Sequence, residues 1–158
     1  MNVAGRNATV TFEQAGTGVL KFTSDILISG YGAGKTIRLA GDTAGTGEMA
    51  GVIRDPHDRK DKARTSLCKS GRGTWTLSGI NTFRGPTKVT QGVLSLAHAE
   101  CLSATAEIEI SDGAKLDLNF QGEMRVGKLI HDGKELEPGR YDAENSPRFI
   151  TGTGVLKL

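Results

Sequence analysis

The stretch that decides the fold is Ser70-Gly71-Arg72-Gly73-Thr74-Trp75-Thr76-Leu77-Ser78-Gly79-Ile80-Asn81-Thr82-Phe83. The side chains of Trp75 and Leu77 are two positions apart, so in an extended chain they point to the same face of a pleated strand. Gly71 and Gly73 precede this segment and Gly79 follows it, and glycine is the residue that sharp turns most often need. The stretch therefore predicts a short β-strand between two tight turns.

The same arrangement recurs along the chain. A small residue, a Gly-x-Gly triplet and an alternating segment occur at residues 15–22, 44–51, 70–77 and 151–158. A second repeated feature is a leucine that recurs at residues 77, 96 and 118. The intervals between Leu77, Leu96 and Leu118 are 19 and 22 residues. Repetition at such spacings is typical of solenoids, in which each repeat forms one coil and buries its apolar face only by stacking on its neighbours.

Short alternating segments separated by turn residues make up most of the chain, and the helical pattern of apolar residues is rare. The predicted strands are Val10–Phe12, Val19–Phe22, Ile26–Ile28, Thr36–Leu39, Thr74–Leu77, Val93–Leu96, Glu107–Ile110, Lys115–Leu118 and Val155–Leu158. A jelly roll or sandwich is the alternative all-β architecture, but it does not predict four Gly-x-Gly triplets before similar strands. We therefore predict an all-β protein with few or no helices, a single β-solenoid domain over residues 1–158.

Residues 67–96 resemble a known family, the autotransporter-associated β-strand repeat, also called the passenger-associated transport repeat. The family pattern is met at Gly71, Gly73, Trp75, Leu77, Gly79, Asn81, Phe83, Gly85, Gly92, Leu94 and Leu96. The sequence departs slightly from the family pattern at two positions, where Pro86 follows Gly85 and Val93 precedes Leu94. The regions on either side resemble the surroundings of such repeats more loosely.

The resemblance implies a right-handed parallel β-helix within the exported passenger of an autotransporter-like protein. It implies a structural role that supports transport and folding of the passenger, at the cell surface or outside the cell. It transfers no catalytic, cofactor-binding or metal-binding residue, since the family pattern contains none. Within the motif we expect Trp75 and Leu77 to point inward, Phe83 to cover one side of the core, and the Asn81 amide to bond to the backbone of adjacent coils.

Composition excludes some partners and leaves others open. The 20 basic and 18 acidic residues give a net charge of +2, which does not predict a nucleic-acid surface. No apolar run approaches the length of a membrane-spanning helix. No secretory signal is recognised at the start, so the chain is either intracellular or an excerpt of a longer polypeptide, and the internal repeats favour an excerpt of a longer passenger. Cys68 and Cys101 are too few for a disulfide framework, and a single bridge or two free thiols are both compatible with the sequence.

Three other interpretations compete with a plain scaffold. The first is a self-associating filament or surface-layer segment, in which the terminal strand Val155–Leu158 leaves an open coil edge. The second is a β-helix polysaccharide lyase, hydrolase or carbohydrate-binding module, using carboxylates such as the Glu107 and Glu109 pair or Asp117. The third is nucleotide binding, because residues 29–36 end in Gly34-Lys35-Thr36 like a P-loop, although a strand rather than a helix is predicted to follow.

Overall fold

The computed structural model describes residues 2–3, 8–29, 34–56 and 63–158, and these residues form strands, turns and bends without any helix. None of them belongs to a helix long and apolar enough to cross a lipid bilayer. The strands are β1 Asn2–Val3, β2 Thr9–Glu13, β3 Val19–Phe22, β4 Leu27–Ile28, β5 Lys35–Ala40, β6 Thr46–Met49, β7 Thr65–Lys69, β8 Thr74–Leu77, β9 Thr87–Val89, β10 Val93–Leu96, β11 Glu107–Ile110, β12 Lys115–Leu118, β13 Glu123–Arg125, β14 Lys128–His131, β15 Lys134–Glu135, β16 Arg140–Tyr141, β17 Ile150–Gly152 and β18 Val155–Lys157.

Two sheets of stacked parallel strands dominate the molecule. One has the order β15-β14-β11-β9-β7-β5-β2 and the other has the order β17-β12-β10-β8-β6-β3. From β2 to β3, from β5 to β6 and onward to β12, the chain alternates between the two sheets, and each strand pairs with its counterpart in the next layer. We use the word layer for one strand of each sheet together with the segments that connect them. The all-β prediction and the stacking of successive repeats are confirmed.

The core consists of columns of side chains that repeat from layer to layer. Leu77, Leu96 and Leu118 are direct partners in β8, β10 and β12, so the spacing noticed in the sequence corresponds to the register of the sheet. Trp75 occupies the neighbouring column and pairs with Leu94. All five side chains are completely buried. Each contributes on the order of 1.5–3 kcal/mol to folding by leaving water, so stability accumulates with the number of layers.

The predicted alignment of the second Gly-x-Gly copy is wrong by two residues. We expected its strand to follow Gly47, but β6 begins at Thr46 and includes that glycine. Thr46 pairs with Val19 on one side and with Thr74 on the other, which places Gly47 directly opposite Trp75. A Cβ atom at Gly47 would lie 2.3 Å from a carbon of the indole ring. The strand is displaced because the bulky indole needs an inward position without a side chain in the layer before it.

The fourth copy is also placed differently from the prediction. Its first glycine, Gly152, ends β17 and pairs with Leu118, but β18 leaves that sheet. β18 instead lies between β13, to which it is parallel, and β16, to which it is antiparallel. The terminal strand predicted to leave an open coil edge therefore has a partner on both sides.

The third side of the stack is not one continuous sheet. It consists of the β1–β4 pair, a parallel bridge between Ile26 and Ile53, and the separate sheet of β13, β18 and β16. Between Ile53 and β13, the described segments on this side contain no strand. The described residues thus show two stacked parallel sheets and a third side built from short, irregular pieces.

The two-residue displacement of β6 yields a test. Replacing Gly47 by Ala should destabilise the protein by about 1–3 kcal/mol, because the new methyl group overlaps the indole of Trp75. In a Trp75→Leu background the same replacement should cost much less, because the smaller side chain leaves room for the methyl group. Urea unfolding of the four proteins of this cycle measures the coupling, and additive effects would contradict the assigned register.

Candidate functional site

The repeat at residues 67–96 spans β7, β8, β9 and β10 and lies in the middle of the stack. β8 places Trp75 and Leu77 inward, and β10 places Leu94 and Leu96 directly on top of them. All four side chains are fully buried, and Phe83 joins the same core from the segment after β8. The repeat therefore supplies large apolar side chains on two neighbouring layers and on the third side.

Trp75 connects three layers. Its indole Nε1 donates a hydrogen bond of 2.8 Å to the backbone oxygen of Ala40, at the end of β5. Its ring lies 6.4 Å from that of Phe22, nearly parallel to it, across the space left by Gly47. The polar atom of this otherwise apolar side chain is thus satisfied by the corner of the preceding layer, which is what a buried tryptophan needs.

Asn81 bonds to the backbone of both neighbouring layers. Its Oδ1 accepts a 2.8 Å hydrogen bond from the amide of Ile53, in the layer before. Its Nδ2 donates to the oxygen of Cys101 in the layer after, at 2.9 Å, and to the oxygen of Gly79 at 3.0 Å. Because the third side lacks a continuous sheet here, the side-chain amide takes the place of the missing strand–strand bonds.

We expect Asn81→Ala to be among the most damaging single substitutions in the chain. It leaves one amide and two carbonyls of the backbone without their partner, and each unsatisfied buried group costs about 1–3 kcal/mol. The free energy of unfolding should fall by several such increments, measured by urea denaturation. The matched control is Thr82→Ala, at an exposed neighbouring side chain. A similar small loss in both variants would contradict the bridging role of Asn81.

The glycines of the motif lie where successive corners approach closely. Gly71 has φ of +72°, and an added Cβ would lie 2.5 Å from the oxygen of Gly41 in the previous layer. The same crowding is found at Gly85, where a Cβ would lie 2.3 Å from the oxygen of Thr65. Gly73, Gly79 and Gly92 face backbone atoms of the preceding layer in the same way. The glycines allow layers to stack at strand spacing through their turns.

Lys69 is a part of the site that sequence reasoning did not single out. It is inward on β7 and fully buried, between Leu39 and Val89 of the neighbouring strands. Its Nζ donates to the oxygens of Ser70, Gly71 and Gln91, at 2.9, 2.6 and 3.1 Å. The ammonium group therefore ties together the corners of two successive layers. The signal that could have found it is the lysine that precedes Gly-x-Gly in the family pattern.

Burial lowers the pKa of Lys69 from 10.5 to about 8, with the Asp42 charge opposing the shift. Below pH 8 both the folded and the unfolded chain hold this proton, and the cost of burying the charge is present in full. Between about pH 8 and 10.5 the unfolded chain still binds the proton while the folded chain releases it. Raising the pH through this range therefore increases the contribution of Lys69 to stability.

The test compares the wild-type chain with Lys69→Met by urea unfolding at pH 7 and pH 10. We expect the stability of the wild type relative to the variant to increase at the higher pH, because only the wild type loses the buried charge. Other titrating groups affect both proteins and cancel in the difference. A relative stability that stays constant or falls would contradict the lowered pKa.

The candidate catalytic carboxylates lie on the outer faces of the sheets and are engaged in surface contacts. Glu109 forms an ion pair of 2.6 Å with Lys88 of the preceding layer. Asp117 accepts hydrogen bonds from the hydroxyls of Ser95 and Thr151, at 2.7 and 3.1 Å. These contacts link neighbouring strands across the layers. Contacts of this kind between neighbouring strands stabilise a stack of layers.

The P-loop-like motif at residues 29–36 does not form a phosphate-binding loop followed by a helix in the described part of the chain. Its residues 30–33 lie outside the described residues. Lys35 begins β5, where its side chain is buried, and the backbone continues as a strand through Thr36. A P-loop needs a helix N-terminus to receive the phosphate, and β5 does not provide one. Among the described residues there is also no group of three His, Cys, Asp or Glu side chains able to hold a metal ion.

The cysteines are free thiols. Cys101 is buried and its thiol donates to the oxygen of Leu77 at 3.0 Å, while Cys68 is half-buried on the outer face of β7. Burial raises the pKa of the Cys101 thiol. Cys101 therefore acts as a small core residue that is kept protonated near neutral pH.

A shallow groove runs along the third side, where the sheet is interrupted. It has a volume of about 580 Å³ and is lined mainly by the segments around residues 80–84 and 99–104. Charged side chains in it are Arg84, Glu100 and Arg125. Arg84 is held by Asp55, whose carboxylate lies 2.6 Å from its Nε. The groove therefore combines charged and apolar groups at the surface of the stack.

Comparison with known proteins agrees with the geometry. The family model described as passenger-associated-transport-repeat matches residues 67–96. The chain is 34% identical over 121 residues to a protein named adhesin BmaC autotransporter, from Brucella suis biovar 1 (strain 1330). The match covers 75% of this chain and 3% of that protein's length. No solved structure gives a significant match. These findings support an exported segment of a surface passenger.

Proposed function

From the passenger-associated transport repeat that residues 67–96 form, we propose that this chain is a noncatalytic scaffold section of an exported bacterial surface protein. In this proposal residues 1–158 are one β-solenoid domain within a much longer passenger. The section serves as a stalk or spacer and assists transport and folding of the passenger outside the cell. The observation that carries the proposal is the unbroken column of buried side chains, to which every layer of the repeat contributes.

We further propose that the layers wind as a right-handed parallel β-helix. Support comes from the parallel pairing of β7 with β9, with β8 and the third side lying between them in the chain. A connection that leaves a parallel strand and returns beside it is right-handed in nearly all proteins, because of the twist of the strands. Such a rod grows by adding layers, which suits a stalk that must extend away from the cell surface.

A second function, adhesion, is favoured by two observations. The relative reported above is named an adhesin, and the groove on the third side combines two arginines, one glutamate and the exposed side chain of Ile80. Such a surface could contact an acidic surface polysaccharide through Arg125. Binding of acidic polysaccharides that is weakened by Arg125→Ala, at unchanged stability, is the expected result if the groove is used in this way.

The leading proposal is tested with the full-length gene product in its own bacterium. We expect a protease added outside intact cells to reach the passenger, and we expect a resistant fragment that includes residues 67–96. Asn81→Ala should lower the amount of passenger at the surface by several fold, since a layer that folds poorly outside the cell gives less support to transport.

Thr82→Ala, at the exposed neighbour, is the matched control and should leave the surface amount unchanged. Passenger that stays inaccessible to external protease would rule out the surface role. Equal display of both variants, together with a proven loss of stability for Asn81→Ala, would rule out the role in transport. Turnover of a polysaccharide by the purified chain would contradict the noncatalytic scaffold and show that the chain is an enzyme.

A further inference from the structure

The outer face of the seven-stranded sheet contains a second recess. It lies over β5, β7 and β9, has a volume of about 320 Å³ and shares no lining residue with the groove beside Arg125. Along these three strands buried residues alternate with more exposed ones, so every second side chain points outward. Two neighbouring rows of these outward side chains line the recess.

One row consists of two cationic side chains with a cysteine between them. Arg38 on β5 pairs with Cys68 on β7, and Cys68 pairs with Lys88 on β9. Because neighbouring strands are about 4.8 Å apart, roughly 10 Å separates the backbones at Arg38 and Lys88. Both cationic side chains are exposed and the cysteine is half-buried, so two positive charges flank the shallow centre of the recess.

The other row carries hydroxyl groups. Thr9, Thr36 and Ser66 are successive partners on β2, β5 and β7. Pro86 follows in the next layer, because the pairing of Leu67 with Thr87 places it beside Ser66. Hydroxyl groups can donate hydrogen bonds to an anion, and the proline ring adds a flat apolar surface. The recess therefore combines cations, hydroxyl groups and one apolar wall.

The charge of the recess is positive, since none of the described residues that line it is acidic. Lys88 forms an ion pair of 2.6 Å with Glu109 of the next layer, which uses one of the three protons of its ammonium group. The hydrogen bond to Glu109 raises the pKa of Lys88, so the ammonium group stays charged at neutral pH. Arg38 forms no ion pair with another described residue, and its guanidinium group can therefore bind a ligand.

Donors on several sides of one recess suit a tetrahedral anion better than a planar one. A carboxylate offers two oxygens in one plane, whereas a sulfate or phosphate ester offers three terminal oxygens that point in different directions. Arg38 can donate through its planar fork, Lys88 through its remaining protons, and the hydroxyl row from another side.

We propose that this recess binds a sulfate or phosphate ester carried on a sugar, with Arg38 as its main contact and Lys88, Thr36 and Ser66 as further donors. The bound ester covers the thiol of Cys68, and the sugar ring lies against the neighbouring proline. The site adds a binding function to the outer face of the stack. It depends neither on the groove at the third side nor on the role in transport.

Cys68 is a natural reporter of occupancy. The uncharged reagent N-ethylmaleimide should alkylate it in the free chain, while the fully buried Cys101 stays unreacted and serves as the internal reference. Dextran sulfate or dextran phosphate, at about ten times its dissociation constant, should slow the alkylation of Cys68 about tenfold, because only the unoccupied recess reacts. Uncharged dextran should have no effect. An unchanged alkylation rate in the presence of both charged polymers would overturn the proposal.

Three polymers with the same backbone and equal charge density separate the anion chemistries. We expect carboxymethyl dextran to bind at least about tenfold more weakly than dextran sulfate or dextran phosphate, measured by isothermal titration calorimetry. Tighter binding of the sulfate polymer would identify a sulfated sugar as the ligand, and tighter binding of the phosphate polymer a phosphorylated one, and both results support the site. Equal affinity for the carboxymethyl polymer would contradict a site built for a tetrahedral anion.

Two matched variants locate the binding. Arg38→Gln should weaken binding of dextran sulfate at least about tenfold and remove the protection of Cys68, because the fork of donors is lost. Arg148→Gln removes the same charge from an exposed side chain outside the recess, and it should change the affinity less than about twofold. Urea unfolding checks that both variants stay folded, and Lys88→Gln, expected to weaken binding about threefold, provides a second readout. Equal losses for the two arginine variants, or no loss for either, would overturn the proposal.

Discussion

The structure depends on one constraint, the parallel, in-register pairing of each strand with its counterpart one layer away. This pairing satisfies the backbone of both strands and at the same time places each inward side chain on the equivalent side chain of the next layer. Leu77 meets Leu96, and Leu96 meets Leu118, because the backbone register allows no other partner. A change of one residue in register would turn the apolar face of a strand outward, so the core and the ladder specify each other.

Close stacking imposes a second requirement, because the turns must be as thin as the strands. Glycines such as Gly71 and Gly85 meet it where the backbone of one corner touches the corner below. On the third side, where no continuous sheet forms, the Asn81 amide supplies the missing bonds to both neighbouring layers. The buried ammonium group of Lys69 does the same for the carbonyls of two corners. The polar residues of the repeat thus replace backbone pairing at the corners, while its apolar residues fill the core.

This architecture separates the contacts of the outer surface from those of the core. Contacts such as the Lys88–Glu109 ion pair and the bond from Ser95 to Asp117 run between layers on the outer faces of the sheets, and they modulate stability without forming the core. A scaffold of this kind can carry different surface groups on the same inward columns. The surface groove beside Arg125 is one place where a section with a structural interior could gain a binding function.

The sequence by itself determined the class of the fold and the central repeat, because alternation and Gly-x-Gly spacing depend on local geometry alone. It predicted β3, β8, β10, β11 and β12 with their observed bounds. The strands β7 and β9 were not predicted, because the inward Lys69 and Thr87 interrupt the alternation of apolar residues. Only the tertiary structure decided the displacement of β6, since Gly47 must lie opposite an indole that comes later in the chain. It also decided that the last strand lies between β13 and β16 instead of at an open edge, because pairing between strands distant in sequence depends on the order of the layers, which no local pattern encodes.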